Sequence, residues 1–213
     1  MRFDHAVLAV ADLDVSGRRL LDEHGLASVP GGRHPRWGTA NRVVPFGLDY
    51  VELLSVTEPE VGRTTWLGRT LMDLSAGGDR WFAACLADDA IESTAKRLGL
   101  EVTPGSRTLP DGSVLAWRGA GIEDSVREPG FPFFIAWDVA PDLHPGRAPG
   151  LAHPCGAMGI AWVEVVADAG RLRAWLGEAD VPIRAVGGAD PGVVAVGLRT
   201  AAGGEIVLRS AAR

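Results

Sequence analysis

Hydrophobic and polar positions alternate between two periods along this chain. Phe3 to Ala11 is a run of β-formers interrupted by the titratable His5, after which Asp12 or Asp14 can cap a helix carrying Leu13, Leu20, Leu21 and His24 at helical spacing. Gly25 ends that helix. A short strand over 26–29 leads into the loop Pro30-Gly31-Gly32-Arg33-His34-Pro35-Arg36-Trp37-Gly38, and strands over 40–46 and 49–56 follow, the second interrupted by Glu52. The pattern predicts a β-α-β-β-β unit over 1–57.

A connector over 58–78 carries a helix with Trp66, Leu67, Leu71 and Leu74 on one side and Gly77-Gly78 at its end. The first pattern then returns over 79–138. Trp81 to Ala87 is apolar, Asp88-Asp89 caps a helix with Ile91, Ala95 and Leu98, Gly99 stops it, and strands near 113–118 and 132–138 complete the unit. Gly25-Leu26-Ala27-Ser28-Val29-Pro30-Gly31-Gly32-Arg33 lies over Gly99-Leu100-Glu101-Val102-Thr103-Pro104-Gly105-Ser106-Arg107 at constant offset, so this is an internal repeat. A Pro-rich connector spans 139–156. A third unit over 157–213 opens on Met158 to Ala167, caps a helix with Asp168, and ends in a hairpin through Ala201-Ala202-Gly203-Gly204. The predicted fold class is α+β, with three repeated βαβββ units building cup-shaped mixed sheets.

Composition narrows the class of molecule. With 213 residues, 46% of them hydrophobic, the chain can bury a sizeable core. The net charge of −6 and the single scattering of basic residues argue against a nucleic-acid surface. Cys85 and Cys155 read as reduced thiols, and with no leader pattern and no apolar run of about 18 residues the expectation is a soluble, cytoplasmic protein without a membrane partner. No phosphate-binding loop and no Gly-x-Ser-x-Gly elbow is present.

An imidazole and a carboxylate inside two strands are what a divalent-metal site requires. A βαβββ unit that repeats, opens with a His in its first strand and closes on Val51-Glu52-Leu53 resembles the vicinal oxygen chelate superfamily. The Gly31-Gly32-Arg33-His34-Pro35 loop, followed by Gly38-Thr39-x-Asn41 and Tyr50-Val51-Glu52-Leu53, resembles its glyoxalase-like domain proteins. The resemblance implies paired units forming a cup, with ligands for Zn, Mn, Ni, Co or Fe from the first and last strands of each unit. His5 and Glu52 stand at those positions in unit one. The matching positions are Trp81 or a neighbour and Ile135 or Ala136 in unit two, and Ala161 and Val207 in unit three, so half of the expected four-ligand set is missing.

His34, His144 or His153 could supply a third ligand, the last two if the Pro-rich connector folds over the cup. Arg33 recurs as Arg107, which suggests an anchor for the turn; its alternative role is to orient a substrate. His34 has no counterpart in the repeat and is the better functional candidate. The predicted site is therefore metal ligands His5 and Glu52, catalytic Glu52, His34 and Arg33, and a substrate contacted by Arg33, Trp37, Asn41, Trp81 and Trp137, with Trp81, Phe133, Phe134 and Trp137 as an aromatic wall. Two functions fit. One is a metal-dependent lyase or isomerase acting on a small oxygenated molecule; the other is a metal-free binding protein that sequesters an aromatic or peptide-like compound. Because cups form from pairs, the third unit is expected either to brace the cup or to join two chains as a homodimer.

Overall fold

The computed structural model describes residues 1–148 and 150–210. Unit one comprises β1 (Arg2–Ala9), α1 (Leu13–His24), β2 (Val29–His34), β3 (Thr39–Pro45) and β4 (Tyr50–Val56), followed by the connecting helices α2 (Pro59–Gly62) and α3 (Trp66–Ser75). Unit two comprises β5 (Arg80–Ala87), α4 (Ile91–Leu98), β6 (Val102–Thr108), β7 (Val114–Ala120), α5 (Asp124–Arg127) and β8 (Phe133–Trp137). The third segment comprises β9 (Ala157–Val166), α6 (Ala169–Leu176), β10 (Ile183–Val186), β11 (Gly192–Thr200) and β12 (Glu205–Arg209). The last three residues of the predicted third unit, and Pro149 of the connector, lie outside the described residues.

Helix boundaries follow their capping chemistry. The Asp12 carboxylate accepts from the amides of Asp14 and Val15 at the start of α1, and Gly25 closes it at φ 64°, a left-handed turn that favours glycine. Asp168 accepts from the Arg171 amide at the start of α6. Asp88 behaves differently from expectation: its carboxylate closes a turn onto the Ala90 amide, and α4 begins only at Ile91.

The eight strands of the first two units close into a barrel in the order β1-β4-β3-β2-β6-β7-β8-β5. Each unit contributes its strands in the same sense, first beside fourth, then third, then second, so the sequence repeat is also a repeat of topology. The halves meet at two seams. β1 and β5 run antiparallel with register from Arg2↔Ala87 to Ala9↔Arg80, whereas β2 and β6 share only the pair Arg33↔Thr108. The cup is thus completed within one chain.

The third segment has the expected element order but a different pairing, β10-β9-β11-β12, in which its first strand lies between its second and third. It forms a separate sheet that packs outside the barrel. Residues alternating along β1 divide accordingly: Ala6 and Leu8 join the core shared with Ile160, Val163 and Leu198, while Val7 and Ala9 join the barrel interior with Leu54, Phe133 and Ile135. A strand covered on both faces reads as a continuous apolar run, which explains the opening of the sequence.

The Gly31-Gly32-Arg33-His34 stretch is strand, not loop. β2 departs from regular pairing with β3 between Pro30 and Arg33, an irregularity of the bulge type that re-aims the side chains after it. The Pro-rich connector folds back against the barrel. The Ala27 amide donates to His153 Nδ1 at 3.1 Å, so His153 Nε2–H donates to the Pro45 carbonyl at 2.8 Å.

Candidate active site

His5 projects inward from β1, buried and stacked on Tyr50 with ring centroids 4.6 Å apart. Its Nδ1–H donates to Asp4 Oδ1 at 2.7 Å. Neighbours on a regular strand face opposite sides; here the β1–β5 register shifts between Phe3 and His5, and Asp4 reaches its neighbour's ring. The Asp4 carboxylate also accepts from Trp137 Nε1 at 3.1 Å and from His144 Nε2 at 3.0 Å. His144 is oriented by the Gly146 amide, which donates to its Nδ1 at 3.1 Å. Burial alone would raise the Asp4 carboxyl, but the hydrogen bonds from His144 and His5 outweigh it and hold the group well below the usual carboxylate range. Asp4 therefore stays ionised and fixes the His5 tautomer, leaving the Nε2 lone pair facing the interior.

That lone pair looks toward Glu52, whose Oε2 lies 3.7 Å away, beyond hydrogen-bond reach. Glu52 is held from behind: Asn41 Nδ2 donates to its Oε1, and Asn41 Oδ1 accepts from the Gly32 amide at 2.6 Å. The two glycines make this packing possible. A Cβ on Gly31 would stand 2.1 Å from Asn41 Oδ1, and one on Gly32 would stand 3.1 Å from Arg107 Cδ. The Gly-Gly pair therefore admits two side chains, one from each half of the barrel.

Between these groups is a cavity of about 90 Å³, lined on the unit-one side by His5, His34, Trp37, Thr39, Tyr50 and Glu52, and on the other side by Arg107, Trp117, Ile122, Phe133, Ile135 and Trp137. Larger clefts, of about 660 and 720 Å³, are open grooves on the surface away from His5 and Glu52. His34 Nδ1 lies 3.1 Å from Thr39 Oγ1. Burial lowers the His34 pKa to about 4; the charge of Glu52 opposes this and that of Arg107 adds to it, so His34 is neutral at pH 7.

Of the residues predicted from sequence, His5, Glu52, His34, Trp37 and Trp137 meet in this cavity, and Asn41 supports Glu52 from behind. Arg33 does not join them: its side chain is 73% exposed and lies 3.9 Å from Glu58 on the outer surface. Trp81 does not join them either, because it faces the third segment, its Nε1–H donating to the Leu208 carbonyl at 3.4 Å. Phe134 also packs in that outer core, while Phe133 lines the cavity. Asp4 and Arg107 are the site residues that sequence reasoning passed over. Asp4 is the chain neighbour of His5 in the opening apolar run, and Arg107 is the repeat partner of Arg33.

The donor set falls short of the divalent ion that the resemblance implies. His5 and Glu52 offer two donors, where catalytic zinc sites usually have three from protein. Among the described residues, the one trio of His, Cys, Asp or Glu with ligating atoms within 4.8 Å of one another is Asp4, His5 and Cys85. Asp4 in that trio is engaged by His5, His144 and Trp137, and the Cys85 thiol is pushed well above its usual value by burial and by the charges of Asp4 and Glu52. The guanidinium of Arg107 adds positive charge to the same cavity. These residues do not fit a resident dication.

A family model described as Glyoxalase-like domain matches residues 3–179. A comparison with curated proteins gives no match. Among solved structures, a hypothetical protein from Staphylococcus aureus is similar at TM-score 0.70 and 17% identity, covering 94% of this chain and 91% of that one. Methylmalonyl-CoA epimerase from Mycobacterium tuberculosis is similar at TM-score 0.47 and 16% identity, covering 66% of this chain and 89% of that one. A Streptomyces coelicolor methylmalonyl-CoA epimerase, in complex with 2-nitronate-propionyl-CoA, is similar at TM-score 0.47 and 16% identity, covering 65% and 99%. With the family model covering most of its length, the chain belongs to the glyoxalase-like domain family.

Proposed function

We propose that this chain is an isomerase- or lyase-type enzyme that moves a proton on a small oxygenated molecule held in the barrel cavity. The observation that carries the reading is the pair formed by His5 Nε2 and Glu52 Oε2, which stand 3.7 Å apart on adjacent parallel strands without bonding each other. Each is fixed from behind, His5 by ionised Asp4 and Glu52 by Asn41, so both present a proton-accepting atom to the same space.

Because both groups sit on one wall, they serve one face of a bound molecule. His5 Nε2 takes a proton from a carbon beside a carbonyl, the C–H electron pair moves into the carbonyl as an enolate, and the neighbouring position receives a proton on the same face through Glu52 or His5. Asp4 stabilises the imidazolium that forms, and the closed barrel keeps bulk water from the anion. In this reading His5 and Glu52 are proton carriers, since among the described residues no further His, Cys, Asp or Glu, His34 of the same cavity included, completes a trio with them within 4.8 Å, and the cavity holds a guanidinium. Sequestration of an aromatic or peptide-like compound is disfavoured by size: ligand pockets for such compounds usually run from about 300 to 1,000 Å³.

The test is hydrogen exchange in D₂O. Small 2-oxo and 2-hydroxy compounds are incubated with the protein after dialysis against a chelator, and loss of the carbon-bound proton is followed by NMR. Exchange that survives chelation and disappears in His5→Gln and Glu52→Gln supports the reading. Exchange that vanishes on chelation and returns with one divalent ion would overturn the metal-free assignment; equal exchange in wild type and both variants would overturn the acid–base role.

A further inference from the structure

Arg107 lines the cavity with a charge that the proton-moving pair does not use. It is 4% exposed, its Nε has no hydrogen-bond partner, and among the described residues no carboxylate lies within ion-pair distance of it. A buried guanidinium normally has a carboxylate beside it, because removing its charge from water is costly unless an anion compensates. Glu52, the acid that faces this space, is instead held by Asn41 and directed at His5.

Position on the barrel adds the second half. In the ring of eight strands, β6 is four steps from β1 in either direction, so the strand that carries Arg107 lies across the barrel from the strand that carries His5, and both residues line the cavity. Gly32 gives passage to its aliphatic stem, and Trp117, Phe133 and Ile135 wall the space between. We infer that Arg107 is the anion receptor of this cavity and that the molecule it receives is a short 2-oxo or 2-hydroxy carboxylate. Its carboxylate lies on the guanidinium and its reactive carbon is presented to His5 and Glu52.

Size and charge set the class. A cavity of about 90 Å³ is worth roughly three waters at about 30 Å³ each, which suits an acid of about two to four carbons. The planar fork of arginine matches a carboxylate. A single cation near Glu52 favours a monoanion over a doubly charged phosphate. The anion-binding half of the inference rests on Arg107 alone, and the choice of 2-oxo or 2-hydroxy acid rests on the proton-transfer reading above.

Trp37, Trp117 and Trp137 line the cavity, so binding is readable as a change in tryptophan fluorescence. The full chain is titrated with pyruvate, lactate, propionamide and inorganic phosphate. The expected result is saturable binding of pyruvate or lactate and none of the neutral amide or of phosphate. Arg107→Met should weaken the carboxylate by about tenfold to a hundredfold, the range for loss of a charged hydrogen bond, with partial recovery in Arg107→Lys. His5→Gln should keep the affinity, so failure of the acid–base reading would leave this result standing. The inference is overturned if wild type binds neither acid, if the amide or phosphate binds equally well, or if Arg107→Met binds as wild type. Should Arg107→Met not fold, the comparison of acid with amide on wild type decides alone.

Discussion

β2 and β6 occupy the same place in the two repeats and carry aligned residues, yet they present opposite sides of the alignment to the barrel interior. In β6 the arginine, Arg107, points inward. In β2 the irregular pairing between Pro30 and Arg33 shifts the parity, so Arg33 points to solvent and the next residue, His34, points inward. In a strand the side-chain period is two, so one displaced residue exchanges the faces of everything after it. The same sequence match therefore yields a neutral imidazole on one wall and an unpaired cation on the other. The halves differ in the same way as a whole: unit one supplies the titratable groups, and unit two supplies an apolar wall with one charge in it.

The sharpest way to break this comparison is to separate chemistry from binding. His5→Gln should slow proton exchange by about 10²–10⁴-fold while carboxylate affinity stays, and Arg107→Met should show the reverse priority, lost affinity first. If both variants lose both properties together, the division of labour between the halves is wrong.

Next in size is the acid sensitivity of the inward residue of β2. His34 has a folded pKa near 4 against an unfolded value of 6.5, so between those values the unfolded chain holds a proton that the folded chain lacks. Stability should thus fall as pH drops from about 6.5 toward 4, by at most roughly 3 kcal/mol. Urea midpoints at pH 7 and 4.5 should show that slope in wild type and a flatter one in His34→Gln. Arg107→Met should flatten it less, since the guanidinium is a smaller cause of the shift than burial.

Smaller effects come from the glycines that admit side chains from across a strand pair. Gly31→Ala would set a Cβ 2.1 Å from Asn41 Oδ1, and Gly105→Ala would set one 2.3 Å from Trp117 Nε1. Each should cost about 1–3 kcal/mol by thermal or urea unfolding. Gly31→Ala should also slow proton exchange, because Asn41 holds Glu52, whereas Gly105→Ala should act on binding. Gly77→Ala, with open space around it, should stay within about 0.5 kcal/mol. Least of all, Arg33→Ala should change carboxylate affinity by less than about twofold and stability by less than about 0.5 kcal/mol, since its pairing with Glu58 is on the surface.

Much of the fold was legible because it is written in local chemistry. Asp12 and Asp168 cap helices, Gly25 and Gly99 end them, and the repeat offset carries over into strand order. His5 and Glu52 were legible because a polar residue stands out in an apolar strand. Trp81 misled because the register on Ala87-Asp88 gives its position along β5 without its facing. Arg33 misled because a strand irregularity leaves no residue signature. Asp4 was hidden for the same reason, since adjacent residues of a regular strand do not hydrogen-bond side chain to side chain. What the alphabet of residues conceals here is parity, and parity decides which groups share a cavity.

The unequal seams described above give the barrel a mechanical polarity. A long antiparallel ladder fastens β1 to β5, while β2 and β6 are buttoned by Arg33↔Thr108 alone. Such a shell has a spine on one side and a clasp on the other, and β6, which bears Arg107, forms one edge of the clasp. The side joined by the fewest strand pairs is then the side that carries Arg107, so an entering anion meets that guanidinium at the most sparsely bonded line of the wall.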